Sequence, residues 1–274
     1  MGGLAAMHQL TLEELRKNQL EILDVVSSFC EERGINYWLD FGTLIGAIRH
    51  KGYIPWDDDI DISMLRPDYD KFMREFNGHN PRYDFHSIEN DPDFPYAFGK
   101  VMDKKTTLYN SGIKWHVNID IFVMDNAPDD DREARKMFFT RRWLNRSNAR
   151  RVVSVLNLPP AIRRKNILRR LCEYITRGIL RVFPRNYFTR KIIEVSKRYS
   201  NQATRRVGNF TGAQDAMIDR EALSSVIDVE FEGRTYKAPS GYDEWLRLIY
   251  GDYMELPPVE ERVTNHELKA YRED

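Results

Sequence analysis

The chain has 274 residues, of which 42% are hydrophobic and 31% are charged, a composition typical of a globular protein with one main core. No apolar run approaches the roughly 18 to 20 residues that a membrane-spanning helix needs. Residues 1–10 lack a signal-peptide pattern, so we expect a cytoplasmic protein. Cys30 and Cys172 lie far apart without a CxxC motif, which argues against a disulfide framework or a zinc site.

The formal net charge of zero conceals a strong asymmetry. Between Arg141 and Lys191 the sequence has 15 Lys and Arg residues and one acid, Glu173, so this block carries about +14 and the remainder about −14. The asymmetry predicts two functional surfaces of opposite character.

The first predicted element is a helix over 11–33, because Thr11-x-x-Glu14 matches a capping box, apolar residues recur at helical spacing and Gly34 provides a stop. A short strand at 36–41, a short helix at 44–50, a buried strand at 60–64 and a helix at 67–76 follow. Further strands are predicted at 83–88, 97–102, 106–109 and 117–124. Asp125, near the end of the last strand, is interpreted as a turn residue.

From residue 128 to about 200 the pattern is helical, and the tail combines short strands near 230–237 with a helix near 242–250. Strands that alternate with helices and then give way to a helical block predict an α+β fold. We divide the chain into a catalytic core (1–130), a basic helical insertion (131–200) and a C-terminal segment (201–274) that packs back on the core.

The strongest chemical signal is the alternation of acidic and apolar residues at Asp59, Ile60, Asp61 and Ile62. Side chains two apart on a strand share a face, so the two carboxylates project together while the isoleucines are buried. Two such carboxylates repel each other unless a cation neutralises them, and oxygen ligands suit Mg²⁺ or Mn²⁺. The alternative is an acidic loop that is simply solvated.

A third carboxylate, Asp120, lies within the apolar stretch 117–123. Burying it is costly unless it is paired or binds a metal, although a strand residue that faces solvent is the alternative. Asp57 and Asp58 could hold a metal-bound water or orient Asp59, or they could be loop charges. Gly42 and Thr43 stand between a strand and a helix, where backbone N–H groups can bind phosphate, although such a pair alone is often only a turn.

A resemblance to the LicD family runs through residues 38–50, WLDFGTLIGAIRH, and 55–61, PWDDDID. It extends through 98–106 and 118–122 and resumes at 250–258, with Arg262 and His266 beyond. The main part of the chain that it leaves out is the basic block between Arg141 and Lys191. The family has the nucleotidyltransferase fold and is related to the fukutin-like enzymes. The resemblance therefore implies a mixed β-sheet flanked by helices, with a phosphate loop and a carboxylate triad.

The resemblance also implies a reaction. LicD-like enzymes transfer phosphocholine from CDP-choline to a sugar hydroxyl of a cell-surface glycan precursor, such as that of lipopolysaccharide or teichoic acid, and release CMP. Related enzymes use CDP-ribitol or similar CDP-alditols. Carried over by position, Asp59, Asp61 and Asp120 are the catalytic residues and the ligands of Mg²⁺ or Mn²⁺, with Asp120 nearest the acceptor hydroxyl.

The other candidates for substrate binding are Gly42, Thr43, Arg49, Trp56, Asp57, Asp58, Lys100, Arg262 and His266. Lys100 suits a donor phosphate as a point charge, although an exposed strand lysine would look the same. Arg49 and His50 end the predicted helix, where they would also complement its dipole. Trp38, Tyr53 and Trp56 could stack on cytosine or surround choline, or belong to the core.

The basic block mixes cations with large apolar residues. This composition suits a helix on an anionic membrane surface, such as the inner face of the cell membrane, where a lipid-linked glycan acceptor could be met. Direct binding of an anionic glycan and a solvated basic face are alternatives, and nucleic acid is the least favoured.

Two other functions fit parts of the pattern. A nucleotidyltransferase that moves a nucleoside monophosphate to a small molecule or nucleic acid would share the triad. A non-catalytic protein could bind anionic glycans through the basic helices, but it would not need clustered carboxylates.

Overall fold

The computed structural model describes residues 7–110, 113–152, 167–212, 214–263 and 268–273. Helix α1 (Leu12–Arg33) begins at Thr11, whose side chain accepts a hydrogen bond from Glu14 N while the Glu14 carboxylate accepts one from Thr11 N. It ends at Gly34, which has left-handed backbone angles. Both predicted ends of this helix are confirmed.

The remaining elements mix strands and helices. The strands are β1 (Met7–Gln9), β2 (Trp38–Leu39), β3 (Asp61–Leu65), β4 (Tyr83–His86), β5 (Gly99–Asp103), β6 (Thr106–Asn110), β7 (Ile113–Trp115), β8 (Asn118–Ala127), β9 (Arg206–Asn209), β10 (Ala216–Asp219), β11 (Val226–Phe231), β12 (Arg234–Pro239) and β13 (Leu268–Glu273). The other helices are α2 (Phe41–Ile45), α3 (Arg66–Glu75), α4 (Asp131–Val152), α5 (Ile167–Leu180), α6 (Tyr187–Ser196) and α7 (Tyr242–Tyr250). The predicted α+β class is confirmed.

Strand β8 is the centre of the larger sheet. Along one edge it pairs in parallel with β3, and along the other it pairs antiparallel with β5 and then with β9. Strand β2 lies beyond β3, β4 beyond β5 and β10 beyond β9. Ile60 and Ile62 are fully buried, so the alternation predicted at β3 is confirmed, and Ile119 and Ile121 on β8 are fully buried as well.

A second sheet has the strand order β1-β13-β6-β7, and β11 with β12 forms a separate hairpin. Helices α4 and α6 pack together beside the larger sheet, where Phe138 and Phe188 belong to a cluster with Phe210. Within the described residues, no helix has the length and apolar character required to cross a membrane. The part of the predicted helical block at 153–166 lies outside the described residues.

Two sequence predictions are corrected in this region. The strand predicted at 36–41 shrinks to the two residues of β2, because the chain turns into α2 at Phe41. Asp125 is not a turn residue: it lies within β8 and is completely buried. The guanidinium of Arg66 donates to both of its oxygens, at 2.7 and 2.8 Å, and the Ser196 hydroxyl donates a further hydrogen bond. This pairing is what makes a buried carboxylate acceptable there.

The Arg66–Asp125 pair gives a stability prediction. Arg66→Met should lower the free energy of unfolding by about 3–5 kcal/mol, because it leaves the Asp125 carboxylate buried without its cation. Urea titration measures the change. As a control, Arg247→Met removes a solvent-exposed ion pair with Asp243 and should cost less than about 1 kcal/mol. Equal losses in the two variants would contradict the role assigned to Arg66.

Candidate active site

The parallel pairing of β3 with β8 brings two of the three predicted carboxylates together. Asp61, the first residue of β3, lies directly opposite Asp120 on β8. Asp120 N donates to Ile60 O at 2.9 Å, and Asp40 N donates to Asp61 O at the same distance, so the backbone is fixed on both sides. Partner residues in a parallel ladder direct their side chains to the same face, and the two carboxylates therefore share one.

Asp59 completes the group from the extended segment before β3. Burial raises the pKa of the Asp61 carboxyl well above its ordinary value, and repulsion from Asp59, Asp120, Asp57 and Asp40 raises it further. An acid crowded in this way is stabilised when a cation shares its charge. The carboxylates of Asp57, Asp58 and Asp59 can also each place an oxygen within 4.8 Å of the others. The oxygen-only set therefore fits Mg²⁺ or Mn²⁺.

Lys100 lies beside the acidic group. It is opposite Asp120 in the β5–β8 ladder, and its ammonium group forms an ion pair with the Asp120 carboxylate and donates to Asn118 Oδ1 at 3.0 Å. The same Nζ lies 5.1 Å from the centre of the Tyr96 ring and 5.3 Å from that of Phe98. The structure thus places a cation, the predicted Asp120 and two aromatic rings in one contact group.

Gly42 and Thr43 lie in α2 and contact the acidic segment. The Thr43 hydroxyl accepts a hydrogen bond from Asp61 N at 2.9 Å, which ties the start of β3 to this helix. A Cβ atom on Gly42 would lie 2.6 Å from Asp57 Oδ2, so only glycine lets that carboxylate approach. The structure therefore gives both residues a role in positioning aspartates, while their contact with phosphate stays a prediction.

Asp40 is a residue to which the sequence reasoning assigned no role. It is fully buried, caps α2 through Phe41 N at 2.8 Å and accepts hydrogen bonds from Ser63 and from Trp245 Nε1. Burial raises its pKa. An Asp just before a helix is a recognisable capping signal, which could have identified it. It connects α2, β3 and α7 beneath the carboxylates.

Arg49, Trp56 and Arg262 meet although they are far apart in the sequence. The Arg262 guanidinium lies 5.7 Å from the Trp56 ring centre. Arg49 donates to the carbonyl oxygens of Tyr253 and Glu255, and its pKa is lowered by burial and by the nearby charge of Arg262. The C-terminal segment therefore packs against Arg49 and Trp56, close to the acidic motif in the sequence.

Several residues that the sequence analysis selected are not found at the carboxylate group. Trp38 and Tyr53 are buried in the hydrophobic core, where they cannot stack on a substrate. His266 lies outside the described residues. His50 accepts a hydrogen bond from Arg49 Nε at 3.0 Å, and burial lowers its pKa.

A cavity of about 500 Å³ opens next to the carboxylates. Most of the residues that line it are not among those predicted from the sequence. Its aromatic residues are Phe41, Tyr96, Phe98, Phe122 and Tyr250, and its acids are Asp57, Asp59 and Asp61. The signal in the sequence was the period of two in Phe94, Tyr96, Phe98 and Lys100, which predicts one shared face.

The aromatic wall is continuous. Phe122 lies 5.0 Å from Phe41 and 4.6 Å from Phe98, and Phe98 lies 5.2 Å from Tyr96, as measured between ring centres. Phe41 has φ of 47°, which is rare for a residue with a bulky side chain and places its ring on this wall. A smaller cavity of about 80 Å³ shares Tyr96 and Asp59 with the large one and is also lined by Lys100 and Asp120.

Comparison with known proteins adds to this geometry. Residues 34–151 match the family described as LicD/FKTN/FKRP, nucleotidyltransferase domain. The lipopolysaccharide cholinephosphotransferase LicD of Haemophilus influenzae is 31% identical over 272 residues, which are 97% of this chain and 99% of that protein. The chain belongs to the LicD family. The resemblance in the sequence motifs is confirmed, and this family member is a LicD-like transferase.

Two other relatives are similar to this chain over only part of its length. The human ribitol 5-phosphate transferase FKRP is 39% identical over 57 residues, which are 21% of this chain and 11% of that protein. The mouse ribitol-5-phosphate transferase FKTN is 28% identical over 114 residues, which are 42% of this chain and 22% of that protein.

The Thr43–Asp61 hydrogen bond gives a prediction for this LicD-family enzyme. Thr43→Val leaves Asp61 N without its acceptor, which should cost about 1–3 kcal/mol of stability. It should also lower kcat by about 10-fold to 100-fold, because the carboxylate moves from its position. Thr43→Ser keeps the hydroxyl and should retain most of the turnover. Similar kcat values for the two variants would show that the hydroxyl does not position Asp61.

Proposed function

We propose that this protein transfers phosphocholine from CDP-choline to a sugar hydroxyl of a lipopolysaccharide-type glycan precursor and releases CMP. The observation that carries the proposal is that three features adjoin one another: the carboxylate group around Asp61, the aromatic cavity that Asp61 lines, and the cation of Lys100, which contacts two rings of that cavity. The full-length similarity to a lipopolysaccharide cholinephosphotransferase supports the choice of phosphocholine as the transferred group and of a lipopolysaccharide-type acceptor.

Asp59, Asp61 and Asp120 are the residues that would hold Mg²⁺ or Mn²⁺. When bound, the metal would polarise the transferred phosphate and neutralise its charge. The crowded carboxylate of Asp61 supports this assignment, because burial and repulsion from Asp59 and Asp120 raise its pKa, and a shared cation would relieve that repulsion.

The transfer forms one bond and breaks another at the same phosphorus atom. The acceptor sugar oxygen bonds to the phosphorus that carries choline, the bond from that phosphorus to the bridging oxygen breaks so that CMP leaves with this oxygen, and the hydroxyl proton is released to the solvent. Asp120 is the carboxylate that we assign nearest to this hydroxyl. Lys100, bound to Asp120, supplies a positive charge where donor phosphate oxygens would lie. Reactions of this kind depend on positioning and charge stabilisation more than on covalent help.

The large cavity suits the choline end of the donor. A quaternary ammonium group has no N–H to donate, so its recognition depends on aromatic faces and nearby negative charge. Phe41, Phe98 and Phe122 supply the aromatic rings, and Asp57 supplies the negative charge.

Nucleotidyl transfer is the alternative that shares the acidic group, and CDP-choline separates the two reactions. Phosphocholine transfer labels the glycan with choline and releases CMP. Nucleotidyl transfer from the same donor would attach CMP to the acceptor and release phosphocholine. Incubation with CDP-choline, a lipopolysaccharide-type acceptor and Mg²⁺, followed by identification of both products, therefore decides between them. Release of phosphocholine in place of CMP would overturn the proposal.

The proposed metal site gives a prediction for its three carboxylates. Asp59→Asn, Asp61→Asn or Asp120→Asn should each lower CMP release by at least about 100-fold, because the amide removes one charged oxygen ligand of the metal. Asp228→Asn, on the exposed β11–β12 hairpin, is the matched control and should retain the wild-type rate. A variant of the triad that stays within a few-fold of the wild type would remove that residue from the metal site.

The aromatic wall also gives a prediction. Phe98→Leu should raise the KM for CDP-choline about 2-fold to 30-fold, the equivalent of about 0.5–2 kcal/mol for one cation–π contact. Inhibition by CMP, which lacks choline, should change less than about 2-fold. Phe139→Leu, at an exposed position on α4, is the control. If the inhibition constant of CMP rises together with the KM, Phe98 contacts the nucleotide instead of choline.

A further inference from the structure

Helix α5 directs large apolar side chains into solvent. Leu171, Ile175 and Ile179 follow one another at intervals of four, so they lie on one side of the helix, and their exposed fractions are 53%, 54% and 60%. Val182, in the turn that follows the helix, is 85% exposed. We call these four residues the outer face of α5.

The opposite side of α5 carries buried charges. Arg177 is only 3% exposed, and Glu173 forms ion pairs with it at 3.8 Å and with Arg150 of α4 at 3.2 Å. Leu180 is buried on the same side. A surface helix of a globular protein ordinarily turns its apolar side inward, and α5 has a charged inner side and an apolar outer side. Among the described residues, the outer face is therefore left largely exposed to solvent.

Cations collect at the C-terminal end of this face. The Arg151 guanidinium donates two hydrogen bonds to Phe183 O, at 3.3 and 3.2 Å, which holds it beside the end of α5. Arg181 and Arg185 are two residues to either side of Phe183 in the chain, so three arginines meet at this end of α5. Burial lowers the pKa of Arg151, and the positive charges of Arg185 and Arg181 lower it further. Among the described residues, no carboxylate forms an ion pair with any of these three arginines.

We propose that the outer face of α5 docks on an anionic membrane surface, with its aliphatic side chains at the acyl boundary and Arg151, Arg181 and Arg185 among the lipid phosphates. Charge complementarity selects this partner: an exposed apolar stripe needs an apolar environment, and a cation cluster without carboxylates needs anions. A bilayer that contains acidic lipids supplies both along one plane. The proposal does not depend on the donor or the metal of the transferase reaction.

Cosedimentation of the full chain with lipid vesicles tests the proposal. The protein should sediment with vesicles that contain phosphatidylglycerol and stay in solution with vesicles of phosphatidylcholine alone. Binding should fall at high salt, because exposed charges are screened. The Arg181→Gln/Arg185→Gln double variant, at two exposed positions, should lose at least about 10-fold in affinity for the anionic vesicles.

The apolar contribution is tested by the Ile175→Ser/Ile179→Ser double variant, which should also lose at least about 10-fold in vesicle affinity. Ile227→Ser, at an exposed position of the β11–β12 hairpin, is the matched control and should bind as the wild type does. CMP release on a water-soluble acceptor should be unchanged in all of these variants, which separates a membrane defect from misfolding or from failure of the proposed reaction.

Two results would overturn the proposal. One is binding that does not distinguish anionic from neutral vesicles or that neither double variant weakens. The other is a wild-type dimer in light scattering that Ile175→Ser/Ile179→Ser converts to a monomer while vesicle binding persists, since the outer face would then be covered by a second copy of the chain.

Discussion

The candidate site depends on one strand pairing. Strand β3 runs parallel to β8 in the register that sets Asp61 opposite Asp120, and this register places two acids side by side. Like charges on directly opposite residues repel each other and oppose the strand pairing, so other contacts must stabilise it. The buried isoleucines on both strands, the Thr43 hydroxyl on Asp61 N and the buried Asp40 beneath them all fix the same alignment. The protein therefore spends folding energy to keep negative charges together, which is typical of a site that binds a cation.

Local patterns made much of this fold predictable. The capping box of α1, its stop at Gly34 and the helix over 242–250 are encoded within a few residues, and the structure has them where the sequence places them. The alternation at Asp59 to Ile62 likewise predicted which side chains are buried. In each case the physical cause acts between near neighbours, so a single segment carries enough information.

The rest depended on contacts between distant segments. The sequence pattern predicts a turn at Asp125, and only its pairing with Arg66 explains why it is buried inside a strand. The ion pair of Lys100 with Asp120 and the approach of Arg262 to Trp56 depend on which strands and loops become neighbours. The aromatic wall combines rings from α2, β8 and the segment before β5, and no local period joins all of them. Spacing identifies candidates for a site, whereas the topology decides which of them meet.

The position of β13 has a consequence for how the protein is made. This strand, at residues 268–273, lies between β1 and β6 and pairs with both. The smaller sheet therefore cannot form until nearly all of the described chain has been synthesised. Before that, β1 and one edge of β6 lack the strand with which they pair. During synthesis those edges are open to pairing with other nascent chains. We expect assembly of the smaller sheet to be the slow, late event of folding, and the strands of the larger sheet, which all precede β11, to pair before it.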